Sequence, residues 1–163
     1  MKRYAPYAAL AGLIIVLDQI AKALIVRNIP FYGSVKVIPG FLNLTHIHNK
    51  GAILGIFNGA EHAWAPVALL LLNAVALTLV VYYFSKTTEM ERAARIALAL
   101  IAGGALGNVV DRIARGYVVD FVEMYAGRFH WPTYNVADSC ISIGAVVLVL
   151  TVILRRPHAS DPV

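Results

Sequence analysis

Cysteine is nearly absent from this chain. Cys140 stands alone inside an apolar run, so neither an intrachain disulfide nor a thiolate metal cluster is available. Charge is scarce as well: charged residues make up 14% of the 163 positions, where soluble proteins carry roughly a quarter. That scarcity excludes a well-solvated soluble domain. There is no internal repeat, no low-complexity tract and no H-E-x-x-H motif, which removes solenoid architectures and one common zinc peptidase.

What fills the chain instead is apolar side chain, 60% of all residues, and this makes it a membrane protein. A spanning helix needs roughly 20 apolar residues, so the length allows one compact bundle and no separate soluble domain. The net charge of +5 sits in small basic groups at the ends of apolar runs rather than along a stripe. Such groups orient a protein in a bilayer and give no basis for nucleic-acid binding.

Four spans are expected, at about 7–26, 64–84, 93–110 and 136–154, within one integral membrane domain covering 1–163. Met1-Lys2-Arg3 ahead of the first run imitates a secretory signal, and Ala21-Lys22-Ala23 imitates a cleavage site. Asp18 and Lys22 interrupt that run, it is longer than a signal core, and further spans follow, so it reads as an uncleaved anchor. Lys2-Arg3, then Lys86, Arg92 and Arg95, then Arg155-Arg156 fall on one side, which should be cytoplasmic and hold both termini. Thr88 with Glu91 has the spacing of a capping box for the third helix.

The first connection, about 28–63, is too long for a simple turn. Phe41 to His48 alternates apolar with polar at period two from Leu42 on, as a half-buried strand does, and Val35-Lys36-Val37 ahead of Pro39-Gly40 reads as its hairpin partner. The expected fold is therefore an all-α polytopic membrane protein: four transmembrane helices, with a small extracytoplasmic β platform between helices one and two.

Polar residues inside or beside the spans are the candidates for chemistry, because charge near hydrocarbon costs a few kcal/mol or more unless it is paired or used. Asp18 and Lys22 lie four apart on one helix face and can pair, as a structural ion pair or as the lining of a cavity. Gly103 and Gly107 form a G-x-x-x-G packing face. Asn108, Asp111 and Arg112 follow it at the outer end of helix three, where Arg112 could hold Asp111 in a bidentate fork and orient a neighbour.

Asp120 lies in an apolar loop setting, Val118-Val119-Asp120-Phe121, where desolvation should raise its pKa. Asp138 falls in the first turn of helix four behind Asn135, an N-cap residue. Each aspartate alone has a plain reading, as a turn former or as a partner of the helix dipole. Helix three rises to the face from which helix four descends, however, so both carboxylates end on the same side. Two adjacent carboxylates share a proton and titrate as a unit, which suits water-mediated peptide hydrolysis. Ser139 and Cys140 lack a neighbouring base, and His46 with His48, a conceivable metal pair, reads more simply as the polar face of its strand. The rival from another class is a small ion- or proton-coupled transporter using Asp18, Lys22 and Asp138, though the chain has neither a repeat nor a second charged centre.

The order of five blocks resembles the bacterial lipoprotein signal peptidase family, signal peptidase II, over nearly the whole chain. The blocks are Asp18-Gln19 with Lys22; Asn49-Lys50-Gly51-Ala52; Gly103 to Asn108 with Asp111-Arg112; Val119-Asp120-Phe121; and Asn135-Val136-Ala137-Asp138. The resemblance implies a metal- and cofactor-free aspartyl endopeptidase of the inner membrane, with its site near the periplasmic face. It further implies cleavage of prolipoproteins just before a diacylglyceryl-modified cysteine, and inhibition by globomycin-type cyclic peptides. Carried over by position, Asp120 and Asp138 are the catalytic pair; Asn49, Gly51, Asn108, Arg112 and Asn135 bind substrate or support the site; Asp18, Lys22 and Asp111 are structural. A monomer in contact with membrane lipid is expected. Ile53-Leu54-Gly55, where an Ala-Phe-Ser type run is common, and Tyr134, where Phe is usual, depart from the family pattern at the substrate groove or its rim.

Overall fold

The computed structural model describes residues 4–50, 65–86 and 92–154. Its helices are α1 (Ala5–Asn28), α2 (Ala65–Lys86), α3 (Arg92–Arg115) and α4 (Val136–Ile153). Among the described residues these are the four helices long and apolar enough to cross a membrane. α1 begins with proline in its first turn, where a missing N–H is harmless, and stops at Ile29, the residue before Pro30. α3 runs past Val110 to Arg115, further than hydropathy alone would carry it, because the polar side chains of its last turns find buried partners described below. The Thr88–Glu91 capping box and Gly51 lie outside the described residues.

α3 is the central helix, and half of its apolar window is buried against its neighbours. Its glycines explain how. A Cβ added at Gly103 would stand 2.9 Å from the Ala11 carbonyl oxygen of α1, while Gly104 faces Ala137 and Ile141 of α4. Gly144 of α4 returns the contact, with its would-be Cβ 2.7 Å from the Ala97 oxygen. Backbones approach this closely only where side chains are missing, and in a bilayer such packing replaces the hydrophobic drive between helices. α2 packs on α3 and leaves its Leu71, Leu72, Val75 and Val81 exposed.

The sheet departs from the platform expected between helices one and two. It has four antiparallel strands in the order β1 (Ser34–Ile38), β2 (Leu42–Asn49), β3 (Val118–Ala126), β4 (Phe129–His130), and the connection from α3 to α4 supplies two of them. Asp120 is thus a strand residue, not a loop residue. Sequence periodicity hides β3 because Val118, Val119, Asp120 and Phe121 are all buried, and a strand covered on both faces loses its alternation. The sheet is joined to the bundle by a cluster of Ile25 and Ile29 from α1 with Val119 and Phe121 from β3.

β2 and β3 are not in simple register. Leu44 lies opposite Val122 but Ile47 lies opposite Asp120, so Thr45 and His46 together face Phe121 alone. This is a β-bulge, one extra residue on β2.

Candidate active site

The ends of α1 and α3, the start of α4 and strands β2 and β3 meet at one end of the bundle, and the two aspartates meet there too. Asp120 is 2% exposed. Its Oδ2 accepts a hydrogen bond from Asn49 Nδ2 at 2.9 Å, and its Oδ1 accepts one from Asn135 Nδ2 at 2.8 Å. Asp138 accepts from Asn108 Nδ2 at 2.7 Å and from the backbone N–H of Asn135 at 3.3 Å. Its own N–H donates to Asn135 Oδ1 at 2.9 Å, closing a capping box at the start of α4. Asn135, fully buried, therefore touches both carboxylates, one through its side chain and the other through its backbone.

The bulge decides which side chain β2 offers Asp120. Residues opposite one another across a ladder share a face, and a shift of one position exchanges the faces. Continued without the extra residue, the Leu44–Val122 register would set His46 opposite Asp120 and turn Asn49 away. With it, Ile47 stands opposite Asp120 and Asn49 opposite Val118, diagonal to the carboxylate and on its face.

Burial pushes the Asp120 pKa up to about 7, and the nearby Asp138 charge adds to that; the Asn49 and Asn135 hydrogen bonds and the Lys22 charge oppose it. Asp120 thus titrates near neutrality. Arg112 lies within electrostatic reach of Asp138, Asp120 and Asp111. Its hydrogen bond goes to the Asn108 carbonyl at 3.4 Å.

A fully buried ion cluster backs the pair. Lys22 Nζ lies 2.7 Å from Asp18, 2.9 Å from Asp111 and 3.1 Å from Asn108 Oδ1. Asp18 Oδ1 accepts the N–H of Ala137 at 3.0 Å, and Asp111 Oδ2 accepts the N–H of Val119 at 3.1 Å. Each structural carboxylate thus holds the residue immediately before a site aspartate. The fork expected between Arg112 and Asp111 is not formed: Asp111 pairs with Lys22 and with Arg115, one turn on, and also takes Gln19 Nε2 at 3.0 Å. Gln19 and Arg115 are supporting residues to which the sequence reading gave no role. The four-residue spacing of Asp111 and Arg115 was the available signal.

His46 and His48 form no solvated polar face. His46 is 5% exposed, and the His48 ring is stacked between Phe31 and Tyr117. Among the described residues no three His, Cys, Asp or Glu side chains converge as metal ligands.

Four membrane-length helices among the described residues, met at one end by a sheet, with a buried and a half-buried aspartate bridged by Asn135 at the junction, define a polytopic membrane protein with an acid site. Its kinship is specific. The chain belongs to the signal peptidase (SPase) II family, whose model matches residues 10–154, and it is accordingly a peptidase. It is 40% identical over 144 residues to a lipoprotein signal peptidase of Desulforapulum autotrophicum, covering 88% of this chain and 89% of that one. A namesake from Syntrophus aciditrophicus is 39% identical over 150 residues, 92% of this chain and 93% of the relative. Among solved structures, one described as a bacterial membrane enzyme at 2.3 Å superposes with a TM-score of 0.82 at 28% identity, covering 98% of this chain and 94% of that one. A second, at 1.9 Å, gives 0.80 at 30% identity over 93% and 95%. These relationships leave the transporter reading without support.

Proposed function

We propose that this chain is an aspartyl endopeptidase that removes the signal peptide from prolipoproteins, with Asp120 and Asp138 as its catalytic pair. The observation that carries the reading is Asn135, which holds both carboxylates at once. The substrate comes from the relatives' name and from the motif resemblance, which puts the cleaved bond just before a diacylglyceryl-modified cysteine.

Asp120, buried and titrating near neutrality, carries the shared proton at rest. Asp138, at the start of a helix and facing an amide and a backbone N–H, is the ionised partner. Asp138 takes a proton from water as its oxygen attacks the scissile carbonyl carbon. Asp120 donates its proton to the carbonyl oxygen, giving a neutral tetrahedral intermediate. The intermediate collapses as Asp120 recovers that proton and Asp138 passes its own to the departing amine. No covalent enzyme intermediate forms and no metal is called for. Asn49, Asn108, Asn135 and Arg112 keep the carboxylates at fixed distance and charge, while Asp18, Lys22 and Asp111 brace the elements carrying them.

The same reading makes residues 1–163 one membrane domain, monomeric, in the inner membrane, with both termini cytoplasmic and the sheet on the periplasmic side. A lipid-anchored cysteine reaches the carboxylates there at the bilayer surface, with membrane lipid around the acyl chains. A globomycin-type cyclic peptide would compete with the substrate for the carboxylates, and Gly51 keeps the substrate-binding role that the motif resemblance gives it. The test is cleavage of a lipid-modified prolipoprotein by purified protein in nanodiscs. Asp120→Asn and Asp138→Asn should each lose about 10²- to 10⁴-fold in rate; wild-type turnover in either one overturns the pair.

A further inference from the structure

The segment that presents Asn49 to Asp120 is held by a second polar device. His46, on the bulge, points its Nδ1 at the Ile29 carbonyl, 2.8 Å away, at the C-cap of α1. A carbonyl only accepts, so Nδ1 carries a proton, and in the neutral form of the ring Nε2 is left with a lone pair. In that form the lone pair faces His48 Nε2 at 3.0 Å, which is then the donor. The chain of donors runs one way: His48 to His46 to the end of α1.

Three further contacts converge on the bulge. The His46 N–H donates to the Gly33 carbonyl at 3.1 Å, the His46 carbonyl accepts from Tyr32 N–H at 3.0 Å, and Thr45 Oγ1 donates to the Gly33 carbonyl at 3.1 Å. Tyr32 pays for this with a φ of 62°, a left-handed conformation that a bulky residue adopts only where its surroundings impose it. His48 is fixed by its own stack, 4.1 Å from the Phe31 ring and 3.7 Å from the Tyr117 ring. The turn after α1, the bulge and the start of β3 are thus one unit, and Asn49 is its next residue.

We propose that His46 and His48 are positioning residues for the peptidase reaction: they lock the bulge of β2 and so keep Asn49 on the face of Asp120. The inference rests on Asp120 acting as proposed above. Neither histidine touches a carboxylate. Charge supports the tautomer assignment: burial lowers the His48 pKa, and His46 and Lys50 lower it further, so the ring is neutral at neutral pH. Of the neighbouring tyrosines, it is Tyr117 whose ring stacks on His48.

The test is a double-mutant cycle in nanodiscs on the prolipoprotein cleavage assay. His46→Ala should lower kcat about 10- to 100-fold, as sub-ångström misplacement of a catalytic group does, with KM within about 2-fold. Because the effect passes through Asn49, His46→Ala/Asn49→Ala should be no slower than Asn49→Ala alone. His46→Asn, whose amide can still reach the Ile29 carbonyl, should recover most of the rate. Multiplying effects in the double variant, a wild-type rate in His46→Ala, or an Asn variant no better than Ala would each overturn the clamp. Should His46→Ala fail to fold, His48→Ala with and without Asn49→Ala makes the same comparison. Asp120→Asn, run in parallel, separates the two ideas: if it retains full rate the carboxylate reading fails, whereas an inactive Asp120→Asn beside multiplying effects removes only the clamp.

Discussion

Replacing Lys22 by Met should damage stability more than any single change outside the carboxylate pair. Its ammonium is fully enclosed and sits 2.7 Å from Asp18 and 2.9 Å from Asp111, with Asn108 Oδ1 at 3.1 Å. Met fills the space of the stem but leaves Asp18 facing Asp111 with the cation gone. Arg115 and Gln19 still serve Asp111; Asp18 keeps one backbone N–H and a long contact from Gln19 at 3.3 Å. Breaking a buried pair in this way costs about 3–5 kcal/mol. In a chain of this size each kcal/mol moves Tm by about 2–4 °C, so Lys22→Met should melt ~10 °C lower in detergent. Adding Asp18→Asn removes the orphaned charge while keeping an oxygen for the Ala137 N–H, and should restore at least half of the loss. A Lys22→Met protein melting within about 2 °C of wild type, or a further loss on adding Asp18→Asn, would refute this account of the cluster.

Other outcomes follow from the same geometry. Since the Asn49 hydrogen bond holds the Asp120 pKa down, Asn49→Ala should raise it above about 7 and carry the alkaline loss of activity to higher pH, read from a kcat–pH profile. The folded-state pKa of Asp120 lies above its ordinary value of 3.8, so its contribution to stability is complete below that value and lost as pH rises through about 7. Asp120→Asn should flatten the melting temperature over that window. A Cβ at Gly107 would stand 2.9 Å from Asp18 Oδ2, so Gly107→Ala should push that carboxylate off Lys22 and cost about 1–3 kcal/mol, measured by thermal unfolding. A chelator should leave the cleavage rate unchanged; inhibition reversed by added metal would move attention from the carboxylates to His46 and His48.

Much of this was legible in the residues, and what was not has identifiable causes. Spanning helices announce themselves because a long apolar run has one solution in lipid, and Asn135 with Asp138 has the composition of a helix start. β3 was hidden by being buried on both faces. The partner of Asp111 was misread because Arg112 is adjacent in sequence, whereas neighbours on a helix face lie three or four apart. The bulge left a trace that a simple period-two reading passes over: the alternation that starts at Leu42 slips phase at Thr45-His46, where two polar residues follow one another. A slip of phase within an otherwise regular strand is what an inserted residue looks like in sequence.

That inserted residue makes β2 a measured length. Between Leu44 and Asn49 the segment should accept changes of side chain more readily than an added residue, because one more residue with the bulge kept sets His46 opposite Asp120 and turns the asparagine away. Two compensating residues would restore the parity but not the reach. Anyone grafting this hairpin, shortening it or aligning it with a distant relative can take the residue count from Leu44 to the asparagine together with the presence of the bulge and know whether the carboxylate keeps its partner.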